Sequence, residues 1–362
     1  MAKRGRYQIS ALQKSVQSGS SEEAFQGGNL WSGLNNEIQS EDPYFYSYSH
    51  YGIHEEMIKD KVRTESYMNA MIHNPQLFAN KVVLDIGCGT GILSIFASRA
   101  GAKHVYGIDA ADIAIQASQI VQDNGLSDRI TIIKGKVEEV ELPVEKVDII
   151  VSEWMGYFLL YESMLNTVLF ARDKWLASDG MMFPDRAKMY LVGIEDADYK
   201  EKKLDFWQDV YGIDMSIIRP TVMAEPIVDV VEAQAVVTSE CLLYDIDIKK
   251  VRPEDLEFAA KYSLVATKTD YLHALVAYFD VEFNHGVKQI KLSTSPMKKY
   301  THWKQTVFYF EGAVPMMCGE EITGSLALRK NPQHNRDIDI KISYHFQGIK
   351  TSFNEIRYYK LR

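Results

Sequence analysis

Cysteine is scarce in this chain: three among 362 residues, at Cys88, Cys241 and Cys318. Cysteines this far apart exclude a disulfide framework or a cysteine-type zinc site and suit a reducing compartment, so no metal is expected. Long apolar runs are missing too. No stretch approaches the roughly 20 apolar residues of a membrane helix, and no membrane partner is expected. The opening MAKRGRYQIS has basic residues with no apolar region behind them, which argues against a secretory signal. Positive charge is not in surplus: 40 Lys and Arg against 49 Asp and Glu leave a net charge of −9. Direct nucleic-acid binding is thereby disfavoured, because phosphate contacts need surplus cations. The negative balance either attracts a cationic, Arg-rich partner or only keeps the chain soluble.

What is present is enough apolar material, 46% of residues, for two cores. Residues 1–40 are rich in Ser, Gln, Asn and Gly and read as a mobile tail. PYFYSY at 43–48 is an aromatic cluster. Behind it, Ile53, Met57, Ile58, Tyr67, Met68 and Met71 recur at the spacing of one or two helices. From Lys81 strands and helices alternate: KVVLDIG, GILSIFASRAG, HVYGID, DIAIQASQIVQDNG, RITIIKG, VDIIVSE and ESMLNTVLFARDKWL. This order predicts an α/β domain over 41–184, a Rossmann-like parallel sheet with both faces covered. After FPDRA at 183–187 the pattern turns to strands such as KMYLVGI, HALVAYFDVEF and DIDIKISYHF. An antiparallel barrel or sandwich is expected over 185–362. A helical insert at about 197–231 interrupts it, carrying Leu204, Phe206, Trp207, Val210, Tyr211, Ile213, Met215 and Ile217. It is either a projecting arm that buries these side chains against a partner or a lid folded on its own domain.

VLDIGCGTG at 83–91 is the first chemical signal. A buried strand ends in a glycine turn that opens a helix, which lets a ligand approach the backbone closely. The spacing Gly87-x-Gly89-x-Gly91 differs from the G-x-G-x-x-G of dinucleotide sites and matches the turn of S-adenosylmethionine enzymes. Asp109 ends the next strand, 18 residues after Gly91. It is either an acceptor for a ribose diol or a helix cap. Val137 and Glu138 follow the third strand. They either meet an adenine ring or belong to an exposed acidic turn. SEWMGYFLLYESM at 152–164 is the second signal. Glu153 and Glu162 flank an aromatic loop at the carboxyl end of a strand. Two adjacent carboxylates repel unless a cation lies between them, and guanidinium, planar with five donors, suits that place. Without further information, two solvated loop acids are the alternative.

Taken together, VLDIGCGTG, SEWMGYFLLYESM, FPDRA and THWKQTVFY resemble the protein arginine methyltransferases, and among them the type I enzymes of eukaryotes. The resemblance runs from about Tyr44 to Arg362. It implies methyl transfer from S-adenosylmethionine to arginine, giving monomethyl and asymmetric dimethylarginine. It places Glu153 and Glu162 on the substrate guanidinium and Arg63 on the cofactor carboxylate. It has Tyr44, Phe45 and Tyr48 covering the cofactor, His54 and Met57 lining the lid, and His302 paired with Asp60. Asp85, Thr90 and Met164 join the cofactor set. Met57, where symmetric-forming members have a bulkier aromatic residue, leaves room for a second methyl on one nitrogen. The product proton goes to Glu162 or to the His302–Asp60 pair. The implied partners are Gly-Arg-rich RNA-binding proteins and histone tails, with a homodimer or higher homo-oligomer formed through the insert. Nucleus and cytoplasm are the expected locations. Two alternatives stand beside this reading: a methyltransferase of another substrate class, which has no use for the glutamate loop, and a non-catalytic partner of an active paralogue.

Overall fold

Pro43 to Phe78 fold into four short helices, α1 (Pro43–Ser47), α2 (Tyr51–Lys59), α3 (Lys61–Ile72) and α4 (Pro75–Phe78). They belong to a computed structural model that describes residues 43–362. The tail expected over residues 1–40 lies outside the described residues. Asp60 divides the long amphipathic stretch. Its backbone is extended (φ −66°, ψ 96°) and its carboxylate accepts from the N–H of Arg63, so it ends α2 and caps α3. On α3, Tyr67, Ala70 and Met71 turn inward at the i, i+3, i+4 spacing of one helix face.

The alternating region forms β1 (Val82–Ile86), α5 (Ile92–Arg99), β2 (His104–Asp109), α6 (Ile113–Asp123), β3 (Ile130–Lys134), β4 (Val147–Ser152), α7 (Met164–Trp175) and β5 (Leu176–Phe183). All five strands pair in parallel, in the order β3-β2-β1-β4-β5. β1 and β4 are almost wholly buried, as a parallel sheet covered on both faces requires. The strand order switches at β1. The crevice outside the carboxyl ends of β1 and β4 is where such sheets take ligands. β5 was not anticipated. LASDGMMF does not alternate, and it is strand because it finds an edge of β4 to pair with.

The second half comprises β6 (Arg186–Ile194), α8 (Ala197–Lys203), α9 (Arg219–Met223), β7 (Ile227–Asp229), β8 (Cys241–Asp247), β9 (Phe258–Val265), β10 (Asp270–Phe283), β11 (Ile290–Ser293), β12 (Gln305–Met316), β13 (Glu321–Lys330), β14 (Ile338–Gln347) and β15 (Ser352–Leu361). One antiparallel sheet runs β7-β12-β10-β6-β8 with β11 beside β10, and a second runs β15-β14-β13-β9. Phe308 on Tyr359 and Phe310 on Tyr344 join their inner faces. The boundary expected at 184/185 separates two kinds of sheet and not two independent bodies. One hydrophobic core runs through both. Tyr67 meets Phe283 at a ring separation of 4.9 Å, Phe158 meets Phe308 at 5.5 Å, and the Trp303 indole donates to the Met155 carbonyl at 2.8 Å.

The insert is helical only in short pieces. Between α8 and α9 lie single 3-10 turns at Asp205–Gln208 and Ser216–Ile218. Two of the residues expected on its exposed face are buried. Leu204 is 1% and Val210 9% exposed, and Leu204 roots the insert in a separate core with Val192, Ile194, Val276 and Met223. Trp207 and Met215 are half-buried. The tip leaves Phe206, Tyr211, Ile213 and Ile217 exposed. The insert is therefore anchored at its base and apolar at its end.

Candidate active site

A cavity opens outside the carboxyl ends of β1, β2 and β4, roofed by α1 and α2. Its floor is the glycine turn after β1. Gly87 and Gly89 have φ of +67° and +53°. A Cβ on Gly87 would come within 2.2 Å of the Met164 side chain, and one on Gly89 within 3.1 Å of the His54 ring. Only bare backbone fits here, and a ligand can approach it closely. Thr90 lines the same wall, while Gly91 lies behind it as N-cap of α5. Asp109 projects from the end of β2. Its Oδ2 accepts from the Gly89 N–H at 2.8 Å and its Oδ1 from the Ala111 N–H at 2.9 Å. Asp109 is not the cap of α6, whose N-cap is Asp112; its carboxylate steadies two turns and lines the cavity. Burial pushes its pKa up. Val137 and Glu138 line the far end, where Glu138 accepts from the Thr167 hydroxyl at 2.9 Å.

Asp85 departs from its expected place. Its side chain points away from the cavity and under the turn, where its Oδ2 accepts from the Ser94 hydroxyl at 2.7 Å. Burial pushes its pKa up to about 7. In a strand covered on both faces, neighbouring side chains point to opposite sides, and Asp85 takes the side facing α5. It is a support of the glycine turn and not a wall of the site.

The glutamate loop lies at the other end of the cavity. Glu153, just past β4, meets a guanidinium already present in the chain: Arg63 Nε donates to its Oε2 at 2.9 Å, both side chains being buried. Arg63 also donates to the Met57 carbonyl. It was expected on a cofactor carboxylate; it lines the cavity and is paired with Glu153. Glu162 accepts from the Tyr48 hydroxyl at 2.9 Å. Burial raises the Glu162 pKa and the charge of Glu153 adds to the rise, while Tyr48 and Arg336 oppose it. The repulsion expected between the two carboxylates is thus built in, and a cation between them would relieve it.

The antiparallel half contributes His302. Its Nδ1 lies 2.8 Å from Asp60 Oδ2, which also accepts from the His302 backbone N–H at 2.9 Å. Asp60 itself stands behind His302, outside the cavity wall. Burial works against its ionisation, but the bonds from His302 and from the Arg63 N–H bring its pKa below the ordinary value. Tyr44 and Phe45 close the roof, and His54 hydrogen-bonds the Tyr48 carbonyl at 2.7 Å. Met57 and Met164 complete the lining. The sequence had not pointed to Arg336, which lines the same cavity from the β13–β14 connection.

Residues 185–349 match a family model described as the arginine methyltransferase oligomerization subdomain, and residues 68–170 match one described as ribosomal protein L11 methyltransferase. The chain is 56% identical over 319 residues to protein arginine N-methyltransferase 1 of Schizosaccharomyces pombe, covering 88% of this chain and 94% of that one. The chain belongs to the protein arginine N-methyltransferases. The family relative from Chlamydomonas reinhardtii is 54% identical over 323 residues, covering 89% of this chain and 94% of its own. Among solved structures, the Trypanosoma brucei PRMT1 enzyme-prozyme heterotetrameric complex with AdoHcy superposes with a TM-score of 0.85 at 48% identity, over 87% of this chain and all of that one. Arabidopsis thaliana protein arginine methyltransferase 10 follows at 0.81 and 28%, over 88% of this chain and all of that one. The chain is accordingly an S-adenosylmethionine-dependent protein arginine methyltransferase of type I, and it carries the family's oligomerization subdomain. The bare glycine backbone, the Asp109 carboxylate and the aromatic roof fit that cofactor.

Proposed function

We propose that Glu153 and Glu162 grip the substrate guanidinium, that the substrates are Gly-Arg-rich RNA-binding proteins and histone tails, and that a homodimer or higher homo-oligomer methylates them in nucleus and cytoplasm. The observation that carries the first point is the pairing pattern of the two glutamates. In each, one oxygen is held by the protein: Oε2 of Glu153 by Arg63, and Oε2 of Glu162 by Tyr48. The substrate grip would use the acceptor capacity that remains on each carboxylate. A two-pronged grip by Glu153 alone would require Arg63 to share Oε2. The net charge of −9 favours cationic substrates, and three free cysteines suit a reducing location. The apolar tip formed by Tyr211, Ile213 and Ile217 supports assembly through the insert.

S-adenosylmethionine supplies the methyl group on its sulfonium. Arg63, Asp109, Val137 and Glu138 would hold it against the glycine turn. Gripped from two sides, the guanidinium is held in plane and its charge is drawn towards the glutamates. The remaining nitrogen gains lone-pair character. Holding it in line at near contact contributes about 7–11 kcal/mol. Two groups are placed to take the product proton: Glu162, whose raised pKa suits a base, and His302, whose Nε2 accepts when Nδ1–H points at Asp60.

Reaction with labelled S-adenosylmethionine and a Gly-Arg-rich peptide, followed by fragmentation mass spectrometry, tests this. Monomethyl and asymmetric dimethylarginine are expected. Symmetric product as the main species, or no transfer to such a peptide, would contradict it.

A further inference from the structure

The β13–β14 connection crosses from the antiparallel half to the substrate loop, and it does so at one place. Glu162 and Ser163 are both left-handed, with φ of +70° and +58°. Residues with a Cβ pay roughly 1–2 kcal/mol there, and such turns persist only when their surroundings fix them. The fixing comes from residues 335 and 336. The Glu162 N–H donates to the Arg336 carbonyl at 2.9 Å, and Arg336 Nη1 donates to the Glu162 carbonyl at 3.0 Å. The Ser163 hydroxyl donates to the Asn335 carbonyl at 2.7 Å. The same guanidinium lies over the aromatic rings of α1: its central carbon is 3.5 Å from the Tyr44 ring centre and 5.3 Å from that of Phe45. Tyr48, one turn further on, holds the Glu162 carboxylate.

We propose that Arg336 is a positioning residue for arginine methylation, linking the seating of the aromatic roof to the conformation of the Glu162 turn. When α1 seats on the cavity, Tyr44 stacks on Arg336 and Tyr48 reaches Glu162. Arg336 is then held in the orientation that fixes the Glu162 backbone. Roof and substrate grip are completed in one step, and an open roof leaves the grip loose. The charge of Arg336 also opposes the rise that burial imposes on the Glu162 pKa, keeping more of the carboxylate ionised. The inference rests on Glu162 as a substrate ligand.

The test compares Arg336→Met, Arg336→Lys, Tyr44→Leu and the double variant Tyr44→Leu/Arg336→Met in the full chain, with Glu162→Gln as control. The measurements are kcat and KM for a Gly-Arg-rich peptide, S-adenosylhomocysteine affinity by calorimetry, and Tm. Arg336→Met is expected to lower kcat/KM at least tenfold and to weaken S-adenosylhomocysteine, although Arg336 is not placed on that ligand. Arg336→Lys keeps the charge but not the planar fork. It is expected to match the wild-type Tm while leaving most of the kcat loss in place, which a purely structural role would not do. The double variant should lose less than the product of the two single losses. Arg336→Met within twofold of wild type, full rescue by lysine, or strictly multiplicative losses would overturn the inference while Glu162→Gln stays inactive. An active Glu162→Gln would overturn the role of Glu162, and this inference with it.

Discussion

Replacing Asp60 by Asn isolates a carboxylate that ties the helical roof to the antiparallel half. Three N–H groups converge on it: Arg63 N on Oδ1 at 3.0 Å, and His302 N and Nδ1 on Oδ2 at 2.9 and 2.8 Å. Asn accepts on one side only, so its amide then faces either one donor or two. If the oxygen stays with Arg63, both His302 bonds fail. At roughly 1.5–3 kcal/mol for each bond to a charged group, the ceiling is about 3–6 kcal/mol. The His302 side chain is 13% exposed and can turn its ring to water, which recovers about one bond. A loss of about 1.5–3 kcal/mol remains. Spread over the unit of residues 42–362, that lowers Tm by roughly 2–5 °C. Scanning calorimetry reads this directly, and methylation of a Gly-Arg-rich peptide on the same sample should fall, because His302 loses the partner that fixes its ring. A Tm within one degree of wild type would show that the three bonds are not a joint.

Glu153→Gln should abolish methylation and, by leaving buried Arg63 without its counter-charge, also lower stability by up to about 3–5 kcal/mol; denaturant unfolding with unchanged stability would refute the pairing. The acid limb of kcat/KM should lie above the ordinary glutamate value of 4.5, because burial raises the Glu162 pKa and only the ionised form grips a cation. The sign for stability is opposite: a raised carboxyl contributes stability that is fully present below the unfolded value and lost as pH rises through the folded one. A pH–rate profile whose acid limb falls at or below 4.5 would reject the assignment. Tyr211→Ser with Ile217→Ser removes the exposed tip and spares the Leu204 root. It should give monomers by light scattering and little activity, and a variant that stays dimeric would remove the insert from the interface.

What the sequence revealed and what it hid divide by distance along the chain. The glycine turn and the glutamate loop are continuous segments at strand ends, so their place in the cavity followed from the β1 and β4 patterns. The Arg63–Glu153 pair spans 90 residues and the Arg336–Glu162 contact 174. No local spacing announces either, and Arg336 sits in an ordinary turn, NPQHNRD. Asp85 was misplaced for another reason. A strand buried on both faces is apolar throughout, and the sequence does not say which side a polar residue takes. β5 was missed because its strand state comes from pairing with β4. Leu204 looked exposed because the insert's base packs on the outer face of the β6–β10 pair, a surface only the tertiary fold creates.

Glu162→Gln separates a guanidinium held by Glu153 and Glu162 from two carboxylates that merely line the cavity. The substitution keeps the side chain's size and leaves an oxygen for Tyr48, but removes the charge. Losing one charge-assisted contact costs about 1.5–3 kcal/mol in binding, and a further factor in rate comes from lost alignment. One calorimetric titration with S-adenosylhomocysteine and one peptide assay, on a single preparation, separate the two functions of the cavity. S-adenosylhomocysteine affinity within about threefold of wild type and peptide methylation reduced by at least a hundredfold are expected. Near-normal turnover of the Gly-Arg-rich peptide by Glu162→Gln would contradict the grip.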